Sequence, residues 1–176
     1  MKKPKPVHYV NNKQMYETMK VYIKAVRKSK REKVEAPRIP EYIGECLYLI
    51  CNKLSLKPQF SGYTWRDEMI SDGIENCIVA IDNFDPRKSD NPFAYFTMIA
   101  WNAFIRRIQR EKKQTYIKHK NMQNTFIVDE LASEFGMQVT GDQKSDDVIR
   151  DFEQKAENNK KKKKKTAKKK GLEIFT

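Results

Sequence analysis

The chain has 176 residues, 36 Lys and Arg against 23 Asp and Glu, a net charge of +13 and 39% apolar residues, so there is room for one modest core with polar ends. Only 6 Gly and no alternating β-branched runs argue against a large sheet and for an all-α protein. Cys46, Cys51 and Cys77 lack CxxC spacing, and His8 and His119 are the only histidines to join them, which argues against a disulfide framework or zinc site and for buried thiols in a reducing compartment.

The first predicted helix opens at Asn11 or Asn12, both good N-caps. Met15, Met19, Tyr22 and Val26 share one face of it, and it fades over 27–33, before Pro37. Pro40 suits the first turn of a second helix, where Ile43, Cys46, Leu47, Ile50 and Leu54 form an apolar stripe that stops before Pro58. Thr64-Trp65-Arg66-Asp67 has capping-box form and opens a third helix. Ile70, Ile74, Cys77, Ile78 and Ile81 make its apolar face, and Glu68, Asp72, Glu75 and Asp82 an acidic stripe. Asn83-Phe84-Asp85-Pro86 is a turn signal.

A fourth helix is capped by Asp90 or Asn91, with Pro92 in its first turn. Phe93, Phe96, Ala100, Phe104 and Ile108 recur at helical spacing and are expected to face the core. A second stripe, Tyr95, Ile99, Asn102, Arg106, Gln109 and Lys113, starts aromatic and ends basic, with Arg107, Arg110 and Lys112 nearby. Farther on, Phe126-Ile127-Val128, Leu131 and Phe135 either close the core or form a short helix. Val148, Ile149 and Phe152 suit a last amphipathic helix with acidic flanks. Residues 155–170 hold ten Lys and one Glu, bury no core, and are expected to be a disordered, solvated tether. Leu172, Ile174 and Phe175 at the tip have no core to join and suit a partner's groove.

Charge alternates along the chain: about +9 over 1–60, −4 over 61–103, +6 over 104–120, −6 over 121–154 and +9 over 155–170. Acidic surface beside basic surface points to two partners of opposite charge, one of them nucleic acid. Tyr95, Trp101, Asn102, Arg106, Arg107 and Arg110 combine stacking faces, base-edge hydrogen bonders and phosphate-neutralising cations within little more than four turns. Plainer readings stand beside these. The Phe stripe is core, the Arg/Lys cluster is a helix end favoured by the dipole, and the acidic stripe is a solvated face.

The stretch from Glu68 to Pro86 resembles the core-binding helix of bacterial sigma factors: acid, two apolar residues, polar, acid, Gly, then an apolar helix ending Phe-Asp-Pro. Residues 93–107 are similar to that family's helix for melting and reading the minus-ten element, with Ala-x-Asn-Ala-x-Ile from Ala100 to Ile105. Tyr9-Val10-Asn11-Asn12-Lys13, Phe60-Ser61-Gly62-Tyr63-Thr64, Asn83-Phe84-Asp85 and the tip Leu172-Glu173-Ile174-Phe175 resemble the late-transcription sigma factors of T-even-type phages. The resemblance runs from Tyr9 to about Lys120 and returns at the tip.

The resemblance implies an all-α region 2-like domain at 61–120, with N-terminal helices (1–60) packed on it. A short acidic helical segment (121–154), a flexible Lys-rich linker (155–170) and the tip (171–176) follow. It implies that Glu68, Ser71, Asp72, Glu75, Ile78 and Asp82 dock on the clamp helices of the largest subunit of bacterial RNA polymerase core. Tyr95, Ile99, Trp101, Asn102, Arg106, Arg107, Gln109, Arg110 and Lys113 would face the nontemplate strand of an AT-rich minus-ten promoter. Leu172, Glu173, Ile174 and Phe175 would grip the phage DNA-polymerase sliding clamp, in the cytoplasm of the infected host. The need for a late coactivator stays open. The chain departs from primary sigma factors where they carry a tryptophan pair, having Met98, Ile99 and Ala100 with Trp101 nearby. No second helix-turn-helix follows residue 120, so minus-thirty-five recognition is not expected. No HExxH, P-loop or GxSxG is present, so no enzyme, cofactor or metal is expected. No apolar run approaches the roughly 20 residues of a membrane span, and nothing apolar follows the basic start, so no membrane contact is expected either. The competing readings are a helical nucleic-acid binder and a polymerase-binding adaptor without promoter recognition.

Overall fold

The computed structural model describes residues 9–133 and 143–172. Every regular element among them is helical: α1 (Asn12–Glu32), α2 (Glu41–Ser55), α3 (Pro58–Ser61), α4 (Arg66–Val79), a 3-10 turn (Ile81–Asn83), α5 (Pro92–Ser133) and α6 (Gln143–Leu172). The all-α expectation holds. The chain divides into two compact units, residues 1–108 and 109–176.

In the first unit, Asn11 opens α1 by accepting the Gln14 amide at 3.2 Å. The helix ends where Lys33 turns left-handed, with φ 54°. Its buried stripe, Met15, Met19, Tyr22, Ile23 and Val26, meets that of α2, which buries Ile43, Cys46, Leu47, Ile50, Cys51 and Leu54. α4 adds Met69, Gly73 and Cys77, and α5 adds Phe96, Ala100, Phe104 and Ile108. Val10, Phe60, Ile81 and Phe84 complete this core. Phe60 sits edge-on to both Trp101 (5.0 Å) and Phe104 (5.2 Å). The three cysteines are free and buried.

Two local expectations change. Thr64 is not the cap of α4: the helix starts at Arg66 with Trp65 at the N-cap and no side-chain cap bond. Asp67 and Glu68 in its first turn face the positive end of the helix dipole instead. The helix also stops at Val79, because Ile81 and Phe84 must both reach the core and a 3-10 turn brings them there. Asp82 is therefore not on α4.

The Asn83-Phe84-Asp85-Pro86 turn is fastened to α1. Asp85 Oδ1 accepts from Arg27 Nη2 at 3.1 Å and from the Arg87 amide at 3.2 Å. The Arg87 amide, and then Arg27, hold the Asp85 carboxyl below the usual carboxylate range. The Tyr16 hydroxyl donates to the Pro86 carbonyl at 3.1 Å. The start of α5 has two side-chain caps. Asn91 Oδ1 accepts the Ala94 amide at 3.0 Å, and Asn12 Oδ1 accepts the Phe93 amide at 3.2 Å. The Asn11-Asn12 pair thus opens one helix and caps another.

In the second unit, Tyr116 of α5 stacks on Phe152 of α6 at 4.5 Å, beside buried Ile149. His119 Nδ1 lies 2.8 Å from Ser145 Oγ, and Gln123 Nε2 donates to Asp146 at 2.9 Å. The apolar face expected from Val148, Ile149 and Phe152 is present. Phe126, Ile127, Val128 and Leu131 fall on the last turns of α5, and Phe135 lies outside the described residues. The side chains of 153–161 are all exposed, as expected of a solvated tail. α6 carries on through the Lys run. Lys, Ala, Glu and Gln are good helix formers, and the Asp151–Lys155 and Glu157–Lys161 pairs support the spacing of one turn. Leu172 ends α6, while Glu173, Ile174 and Phe175 lie outside the described residues. No helix among the described residues is long and apolar enough to cross a membrane.

Candidate partner and nucleic-acid interface

The outward face of α4 carries Glu68, Ser71, Glu75 and Ile78, all exposed. Ile78 is 45% exposed and its neighbour Val79 75%. Neither Glu68 nor Glu75 forms an ion pair among the described residues. Two exposed apolar side chains beside unneutralised acids complement a basic surface with an apolar centre. Helical spacing alone had put Ile78 on the apolar side, and it missed Val79 altogether.

Asp72 and Asp82 are placed differently. Asp72 Oδ2 accepts from Arg107 Nη1 of α5 at 3.3 Å, with the two side chains 24% and 19% exposed. Asp82, on the 3-10 turn, pairs with Lys30 of α1 at 2.9 Å. Both acids tie helices together within the first unit, so neither faces outward as a bare charge.

At the start of α5, Asn91, Phe93, Ala94, Thr97, Met98 and Trp101 line a groove of about 540 Å³. Met98 is 63% exposed. Trp101 is half-buried, with its ring T-shaped to Phe60 at 5.0 Å and Lys57 Nζ 5.6 Å from its ring centre. Asn102 and Arg106 are exposed beyond it. Tyr95, expected to face DNA, is instead a strut. Its ring packs on Phe84 (5.3 Å) and Phe96 (5.0 Å), and its hydroxyl donates to the Ala80 carbonyl at 3.2 Å. Burial pushes its phenol up from the ordinary value. Ile99 is half-buried against the core. Gln109, Arg110 and Lys113 are exposed on the second unit.

Gly73 of α4 leaves room for the Phe104 ring of α5. A Cβ added there would lie 2.8 Å from Phe104 Cε1 and 3.1 Å from Cys51 Sγ. The acid-Gly pair at 72–73 thus has a packing cause: the glycine admits the aromatic ring, and the acid one residue before it reaches the arginine on the same neighbouring helix.

Residues 59–114 match the family model described as Sigma-70 region 2. In this span the chain is similar to sigma-70 region 2. The matched span holds α4, the 3-10 turn and the start of α5, and so both the exposed face of α4 and the Met98–Trp101 groove. No curated protein matches the chain.

Proposed function

We propose that the chain is a transcription-initiation factor that docks on bacterial RNA polymerase core and helps it open an AT-rich minus-ten promoter. The observation that carries this reading is that the region 2-like span contains an exposed acidic-apolar helix face and, on the next helix, an aromatic groove followed by Asn102 and Arg106. Glu68, Ser71, Glu75, Ile78 and Val79 would meet the polymerase clamp helices. A base leaving the duplex stack would lie against Trp101 and Met98, with Asn102 at base edges and Arg106 at phosphate. Base-aromatic stacking contributes about 1–3 kcal/mol per base, so one good platform favours strand separation without any bond being made or broken by the protein. On this reading the chain is not an enzyme, and it works by binding energy alone.

Trp101→Ala is expected to lower promoter opening by roughly 5- to 150-fold, the equivalent of one stacked base. The readout is 2-aminopurine fluorescence from the AT-rich box in the polymerase complex. Core binding should be unchanged. Opening at the wild-type level would remove Trp101 from the strand path.

We extend the proposal to a phage late role, in which Leu172, Glu173, Ile174 and Phe175 grip the DNA-polymerase sliding clamp and the Lys-rich run carries them to it. The apolar residues of that short segment support this, since they follow a run with no core of its own. Removing residues 172–176 is expected to abolish clamp binding in a pull-down with purified clamp and to leave core binding intact. Clamp binding by the shortened chain would refute the assignment.

A further inference from the structure

Arg106 and Arg107 are neighbours in sequence, yet α4 receives them on two chemically different partners one turn apart. Arg107 Nη1 meets the carboxylate of Asp72 at 3.3 Å, and both side chains are largely covered. Opposite charges there cancel, and Arg107 acts as a cross-helix tie. Arg106 Nη2 meets the side-chain carbonyl of Asn76 at 2.6 Å, and Arg106 is exposed. The Asn76 amide is itself fixed, because Nδ2 donates to the Asp72 carbonyl at 2.7 Å. An amide carbonyl orients a guanidinium but takes away none of its charge. An aspartate at the same place would orient it equally well and neutralise it.

We infer that Asn76 is a positioning residue that holds the Arg106 guanidinium toward a DNA backbone phosphate while leaving its charge intact, and that Asp72 withdraws Arg107 from that contact. This rests on the DNA-facing role proposed for α5. Fixing a long side chain before binding removes part of the ordering cost of the contact, an effect of about 2- to 10-fold per side chain. Each phosphate neutralised also adds about one to the salt dependence of binding.

The test compares full-length wild type, Asn76→Ala, Asn76→Asp and Arg106→Ala, each bound to core polymerase on a promoter fragment. Promoter affinity is followed against salt concentration, and thermal unfolding is measured in parallel. Asn76→Ala is expected to weaken the complex about 2- to 10-fold and to keep the salt slope. Asn76→Asp is expected to weaken it at least as much and to make the slope shallower by about one, although its melting temperature is no lower than wild type. Wild-type affinity and slope in Asn76→Asp, together with a clear loss in Arg106→Ala, would overturn the positioning role while leaving the DNA face standing. No effect of Arg106→Ala would overturn the DNA face at Arg106 and the inference with it. A merely structural Asn76 would lower the melting temperature in both Asn76 variants and leave the slope alone.

Discussion

Phe104→Ala is expected to lower the unfolding free energy of the first unit by about 3–5 kcal/mol. Phe104 is fully buried, edge-on to Phe60, and its ring occupies the space that Gly73 leaves open. For a unit of this size the melting temperature falls by roughly 12 °C or more. The two positions are coupled. Gly73→Ala alone forces a methyl into the Phe104 ring, a cost of about 1–3 kcal/mol that outweighs the gain of up to about 1 kcal/mol in helix propensity. In the Phe104→Ala background the methyl meets a cavity on that side and only Cys51 Sγ, at 3.1 Å, on the other, and the same substitution should cost less. Urea unfolding of the four proteins measures this. Additive losses would show that α4 and α5 can move apart, and the packing account of the glycine would fail.

Glu68→Arg with Glu75→Arg is expected to weaken binding to core polymerase at least ~100-fold at about 0.15 M salt. Each change puts a cation where the proposed partner is basic, and like charges brought together at an interface cost several kcal/mol. Both side chains are exposed, so the melting temperature should hardly move. Asp72 is a poor choice for this experiment, since its reversal would set a second cation against Arg107 and mix loss of docking with loss of folding. Wild-type binding by the Glu68/Glu75 variant would move the polymerase contact off this face of α4.

The helical periods of α1, α2 and α5 were legible as written, because Met15, Met19, Tyr22 and Val26, or Phe96, Ala100 and Phe104, repeat at intervals that only a helix brings to one side. What local patterns cannot show is pairing between helices distant in sequence. Asp72 looked like part of an outward acidic stripe, and nothing in the pattern marked Asn76. Only the close approach of α4 to α5 reveals that they receive Arg107 and Arg106. Asn12 is a sound N-cap for its own helix, and nothing nearby signals that its side chain closes the first turn of α5 instead. Tyr95 reads as an aromatic on the basic stripe until Ala80 supplies its hydroxyl with an acceptor.

The contact at Gly73 also bears on distance. With the Phe104 ring filling the space beside Gly73, sliding or rolling one helix along the other would have to displace that ring. A partner on α4 and a DNA strand on α5 would then be held at a fixed offset and bearing, as by two arms of a set square. On the proposed function, the interval between the polymerase surface and the first unpaired base becomes a dimension of the protein. Loosening that contact would blur where the duplex opens before it changed how tightly either partner is held.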